Sequence, residues 1–200
     1  MHAAVDHAHA GHPPEAHQSS RVDARVLGMF LFIASEVMLF GSFFTAYFFV
    51  RVVRENSIPW HHIHNLPVFV AGINTAILLT SSATMHWALT SIKRGNRAGL
   101  QAGLALTFLM GFTFLATQIT EYARIGFAPG DDSFATIFFS LTGLHGAHVF
   151  IGLNLLLFAT IRAFRGHFSP EQHLGVEIPG IYWHFVDVMW IVVYTTVYIL

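Results

Sequence analysis

Apolar residues run along this chain in long blocks, without the alternation of a half-buried strand or the single stripe of a surface helix. A helix rises about 1.5 Å per residue and satisfies its own backbone groups, so roughly 20 such residues cross a hydrocarbon core about 30 Å thick. Five blocks reach that length: Val26 to Val52, Leu66 to Ile92, Ala98 to Tyr122, Phe134 to Phe164 and Gly180 to Leu200. Between them stand chain breakers, namely Pro59 and Pro67, then Lys93-Arg94-Gly95-Asn96-Arg97, then Pro129-Gly130-Asp131-Asp132, then Ser169-Pro170. The pattern predicts an all-α, polytopic membrane protein with five transmembrane helices within residues 23–200. The connections are short, which leaves no room for a soluble domain, and no internal repeat suggests a repeat-built transporter.

Composition supports lipid as the solvent. Hydrophobic residues make up 54% of the chain and charged residues 10%, against roughly 25% charged in an average soluble domain. A formal net charge of -1 excludes the basic surface that a nucleic-acid partner requires. Without cysteine there is no disulfide, thiolate metal site or thiol nucleophile. Residues 1–22 differ from the rest: His2, His7, His9, His12 and His17 stand among Ala, Gly and Pro with no apolar run. They read as a disordered polar tail, with weak metal scavenging as the functional alternative. With the N-terminus inside, Arg21, Arg25, Lys93, Arg94, Arg97, Arg162 and Arg165 are cytoplasmic and only Arg51, Arg54 and Arg124 lie outside. That excess of inner basic residues predicts a cytoplasmic N-terminus and an outer C-terminus.

Polar side chains within the spans are expensive, a carboxylate at mid-helix costing roughly 2.5–3.5 kcal/mol on insertion scales. Glu36 lies well inside the first predicted helix and Asp187 well inside the last, while Glu121 ends the third. Gln118 with Glu121, His145 with His148, and His184 with Asp187 recur at i, i+3, so each pair shares a helix face. His184 and Asp187 read as an imidazole and a carboxylate orienting each other. Three chemistries stay open at this point. His86, His145, His148 and His184 offer imidazoles to a metal or haem, Glu36 and Asp187 offer carboxylates to a proton relay, and all of them offer interhelical hydrogen bonds or lipid headgroup contacts. Gly28, Gly41, Gly103, Gly111, Gly143 and Gly146 would let backbones or an acyl chain approach closely. Tyr182, Trp183, Phe185 and Trp190 read as an aromatic belt at the membrane interface.

Four segments carry a family resemblance: Phe32-Ile33-Ala34-Ser35-Glu36-Val37, Gln118-Ile119-Thr120-Glu121-Tyr122, Thr142-Gly143-Leu144-His145-Gly146-Ala147-His148-Val149, and Tyr182-Trp183-His184-Phe185-Val186-Asp187-Val188-Met189-Trp190. In this order they resemble subunit III of haem-copper terminal oxidases, over roughly Arg25 to Leu200. Asn74-Thr75, and His173 with Gly175 and Glu177, are further matches. The resemblance implies two helix groups around a V-shaped, phospholipid-filled cleft. It also implies a non-catalytic chain without haem or copper, those centres lying in subunits I and II. The partners implied are subunit I as main contact, subunit II, and subunit IV or a respiratory supercomplex. The role implied is support of subunit I, proton uptake and turnover stability, most plainly in a cytochrome c oxidase of a bacterial inner membrane. Carried over by motif, Glu36, Glu121, His145, His148, His184 and Asp187 form an interior polar network or lipid contacts, with Asn74, Gln118, Gly143, Gly146, Tyr182, Trp183 and Glu177 as supporting positions.

Two departures qualify this. Mitochondrial-type members have seven helices and this chain lacks the first two, so part of the cleft is missing or built by another subunit. Their membrane glutamate five residues before the Asn-Thr pair is Phe69 here, so proton chemistry tied to it does not transfer. An accessory subunit of a nitric oxide reductase or quinol oxidase, and a free-standing transporter or haem protein, are the alternative readings.

Overall fold

A computed structural model describes residues 23–54 and 68–199. The histidine-rich stretch of residues 1–22 and the prolines Pro59 and Pro67 lie outside the described residues. Five α-helices follow one another: α1 (Ala24–Arg54), α2 (Val68–Lys93), α3 (Arg97–Arg124), α4 (Ser133–Phe164) and α5 (Leu174–Tyr194), with a π-helical turn, Thr195–Ile199, completing the last span. All five are long and apolar enough to cross a membrane. Among the described residues there is no strand.

The helix starts carry polar side chains that accept otherwise orphaned backbone N–H groups. Asn96 accepts from the Gly99 amide at 3.0 Å before α3. Asp132 accepts from Ala135 at 2.6 Å before α4. Asp23 accepts from the Arg25 amide at 2.8 Å before α1, and this bond holds its carboxyl below the ordinary carboxylate range. Gly95 and Gly166, at φ of +76° and +73°, turn the chain out of α2 and α4 in a conformation that a Cβ disfavours.

The last span begins at Leu174, not at the expected Gly180. Pro179, the residue before the expected start, sits in the second turn of α5. There it forgoes only its own amide bond, to the first turn, where the chain is not yet held by a full ladder. The earlier start carries Tyr182 and Trp183 away from the helix end. Both are fully buried, as are Trp190 and, nearly so, Phe185. The expected interfacial aromatic belt is therefore the packed centre of the protein.

That centre lies within α2–α5, where α2 touches α3, α3 touches α4, α4 touches α5 and α5 returns to α2. The two expected helix groups take the form of this four-helix set and the single helix α1, which lies against α4 and α5. Only 6% of the most apolar stretch of α1 is buried, against 61% for the last span. The Trp183 indole donates to Ser81 Oγ at 2.9 Å and its ring lies over Gly111 of α3 and Gly152 of α4. A Cβ on Gly152 would sit 2.9 Å from the ring, and one on Gly111 would overlap it. Trp190 repeats the arrangement one layer on, donating to Thr75 Oγ1 at 2.9 Å and meeting Phe114 edge to face with ring centroids 4.8 Å apart. Gly103 brings α3 onto α2, since its Cβ would lie 2.7 Å from that of Ala88.

Not every glycine packs in this way. Gly28, Gly41 and Gly143 have nothing within 4 Å of a built Cβ, and Gly146 meets only Leu115 at 3.9 Å. Close approach at Gly143 and Gly146 is thus not a feature of this chain by itself. The contrast predicts that Gly152→Ala destabilises the purified protein by about 1–3 kcal/mol through overpacking against Trp183. Gly143→Ala should be neutral or stabilising by up to about 1 kcal/mol through helix propensity. Denaturant unfolding in detergent followed by tryptophan emission measures both.

Candidate functional site

The polar residues singled out by sequence fall into three places. The first is the contact of α1 with α4. Glu36 Oε2 lies 2.9 Å from His148 Nε2, with side-chain exposures of 16% and 9%. The other ring nitrogen, Nδ1, is 2.8 Å from the Leu144 carbonyl. A carbonyl only accepts, so Nδ1 carries a proton. Nε2 then either accepts from a protonated Glu36 or donates to its carboxylate, and one proton is shared within the pair. Phe40 covers the imidazole, with ring centroids 5.0 Å apart. The Tyr182 hydroxyl donates to the His148 carbonyl at 3.3 Å, fixing α5 to the same turn. Removing either partner of the pair would leave a buried polar group unpaired, at a typical cost of about 1–3 kcal/mol.

The second place is the interior of the four-helix set. His145 is buried on α4, one turn before His148, but the i, i+3 spacing does not give the two rings a common partner. Neither nitrogen of His145 is hydrogen-bonded. Its ring lies 4.8 Å from that of Trp190 and 5.8 Å from that of Phe114. This position encloses it within the four-helix set. Gln118 is buried beside the Tyr122 and Tyr198 phenols, and its Nε2 lacks a partner. Tyr122 in turn donates to Thr142 Oγ1 at 2.7 Å. Glu121, expected to act with Gln118, is half-exposed near the end of α3. Asn74 is buried within α2.

The third place is the contact of α2 with α5. His184 Nδ1 meets Ser82 Oγ at 2.5 Å and faces His86 one turn further along α2. Asp187 is buried, with neither carboxyl oxygen hydrogen-bonded. The expected His184–Asp187 pair is therefore not formed, because an imidazole on α5 finds the serine hydroxyl of α2 before it finds a carboxyl on its own helix. Glu177 lies in the first turn of α5, where the helix dipole favours a negative charge, 3.7 Å from His173.

The four imidazoles that might have converged on a metal do not. His148 is committed to Glu36 and His184 to Ser82, while His145 is enclosed by aromatic rings. Among the described residues, no three His, Cys, Asp or Glu gather at one point. Ser81, Ser82, Thr75, Thr142 and Phe40 are the participants that sequence reasoning missed. The serine pair within the apolar α2 block was the one available signal, since hydroxyls there commonly bond across helices.

The fold and these contacts define a polytopic α-helical membrane protein in which Glu36, His148 and His184 bond between helices while His145 and Asp187 are buried without a hydrogen bond. Residues 7–200 match the family model of cytochrome c oxidase subunit III. Cytochrome c oxidase subunit 3 of Thermostichus vulcanus is 41% identical over 98% of this chain and 92% of its own length. The Synechocystis protein of that name is 40% identical over 97% and 79%, and that of Oryctolagus cuniculus 39% over 86% and 67%. The chain belongs to the cytochrome c oxidase subunit III family, and so to the subunits of haem-copper oxidases. The family match begins well before Arg25 and takes in most of the histidine-rich stretch, which the sequence resemblance had left aside.

The Glu36–His148 bond joins α1 to α4 across a part-buried contact, so the two side chains should be energetically coupled. A double-mutant cycle of Glu36→Ala and His148→Ala is expected to give a coupling of about 0.6–1.7 kcal/mol, the range found for interhelical bonds in membranes. Unfolding free energies of the four proteins measure it. A value near zero would mean that α1 is held by apolar contact alone.

Proposed function

We propose that this chain is a non-catalytic scaffold of a proton-pumping cytochrome c oxidase, packed against subunit I, with subunit II nearby and haem and copper held in those two chains. The observation that carries this reading is the Glu36–His148 bond. It engages the most conspicuous membrane carboxylate in a bond between helices, a latch that supports a structural part for it. The names of the relatives support cytochrome c as the electron donor. The excess of basic residues on one side supports a cytoplasmic N-terminus and an outer C-terminus in a bacterial cell membrane.

Phospholipid is the proposed ligand. With most of α1 unburied in the isolated chain, acyl chains and a neighbouring subunit cover it. The latch would then act on lipid indirectly, by fixing the angle at which α1 meets α4 and α5. Glu36 and His148 serve as positioning residues in this reading, and His145, Gln118 and Asn74 as interior polar groups.

The latch predicts how the complex fails. Losing about 0.6–1.7 kcal/mol of interhelical bonding multiplies the population with α1 detached by about three- to twentyfold. In the purified oxidase, Glu36→Ala should lower the retained phospholipid and shorten the lifetime in turnover, while the initial rate of oxygen consumption stays near that of the parent. An immediate and complete loss of oxygen reduction in an assembled complex with full haem content would overturn the scaffold reading, as would purification of the native complex without a haem-copper subunit.

A further inference from the structure

Asp187 is the one carboxyl that the latch and the packing leave unexplained. It lies near the middle of the last span, 3% exposed, and both oxygens lack a hydrogen bond. A carboxylate left so would forfeit its whole hydration in a medium that returns nothing, a cost far above that of the neutral acid. The group beside it is the Ser82 hydroxyl, which is already 2.5 Å from His184 Nδ1. Ser82 and His86 share a face of α2 at i, i+4, and His184 and Asp187 share a face of α5 at i, i+3. The two helices are in contact. Exposure rises along this series, from buried Asp187 through half-buried Ser82 and His184 to exposed His86.

We propose that Asp187, Ser82 and His184 form a proton-exchange triad across the α2–α5 contact, with Asp187 as the buried proton-holding site and His86 as its outlet on the outer face of α2. For transfer the Asp187 side chain closes onto its neighbour Ser82, the acid O–H donating to Ser82 Oγ while the Ser82 O–H donates to the unprotonated Nδ1 of His184. Transfer moves two protons in step. Asp187 gives its proton to Ser82 Oγ while Ser82 gives its own to His184 Nδ1, leaving a carboxylate that accepts from Ser82 and an imidazolium that donates to it. Atoms and charge balance, and no co-reactant is needed. The imidazolium can then release the proton from Nε2 on the side of His86. The titratable groups facing the triad are His184 on α5 and His86 on α2, and among the described residues no cation pairs with Asp187. A single change of side chain isolates the link, because the Ser82 hydroxyl lies beside both titratable groups.

The test is infrared spectroscopy of the purified oxidase complex carrying the full chain, with carboxyl-labelled aspartate to assign bands. The expected result is the carbonyl band of a protonated carboxylic acid that shifts in D2O and disappears in Asp187→Asn. Ser82→Ala should shift that band and slow its hydrogen exchange by about tenfold or more, as expected when a buried hydrogen bond is lost. Ser82→Thr, which keeps the hydroxyl, should restore both. The proposal is overturned if the labelled aspartates show only carboxylate bands, or if Ser82→Ala leaves band and exchange unchanged. Should Asp187→Asn fail to assemble, the labelled aspartate band is assigned to Asp187 by its shift in Ser82→Ala and its return in Ser82→Thr, and those two variants decide the outcome.

Discussion

The insertion of Trp183 between Gly111 and Gly152 fixes the geometry of the four-helix set, and the other contacts follow from it. An indole occupies more volume than two facing helices ordinarily leave free, so α3 and α4 must each present a residue without a Cβ where the ring lies. Its N–H must also find an acceptor, because an unmet donor in a water-free interior is costly. Ser81 provides that acceptor from α2. One side chain on α5 therefore sets its distance from three other helices at once. Trp190 repeats the arrangement one layer further along, with Thr75 as acceptor and Phe114 and His145 as walls. The hydrophobic effect does not drive such packing within lipid, so shape and hydrogen bonding have to supply the specificity.

The first helix is held differently. Most of its apolar surface remains unburied, and its firmest tie to the rest is a polar one, Glu36 to His148. A carboxylate and an imidazole sharing one proton give a directional bond. That bond sets the rotation and height of α1 where apolar contact would allow it to slide. Phe40 and Tyr182 enclose the pair from two sides, which keeps water and lipid headgroups from competing for it. A helix attached in this way suits a chain whose proposed role is to present surfaces to lipid and to a larger neighbour. Among the interior imidazoles, His148 and His184 are each bonded to a neighbouring helix and His145 is enclosed by rings.

Family membership and physical reading converge on these residues, but they say different things. The family match places the chain in an oxidase, whereas the contacts say what each polar side chain does inside this chain. Residues grouped together by motif are separated by geometry into a latch at Glu36 and His148, an interior group at His145 and Gln118, and the α2–α5 contact at Ser82, His184 and Asp187. Phe69, which stands where other members carry a glutamate, is 80% exposed on α2. The position therefore adds no carboxyl to any of the three places.

The apolar blocks alone determined that there are five helices, that they cross a membrane, and that Glu36, His145, His148, His184 and Asp187 are interior groups. Hydropathy and the cost of a buried charge are local properties, legible one residue at a time. The sequence also marked the i, i+3 pairs, yet it assigned their bonds wrongly, since spacing along one helix says nothing of what a second helix brings to the same point. Ser82 reaches His184 before Asp187 does, and Glu36 meets His148 from a helix more than a hundred residues away. The start of α5 at Leu174 was not legible for a related reason: residues 174–179 precede the apolar block, and only the fold shows them as the first turns of the same helix. Helix existence was decided by composition, and partnership was decided only by the tertiary structure, because hydrogen bonds between helices depend on relative rotation and depth, which no pattern along a single strand of sequence encodes.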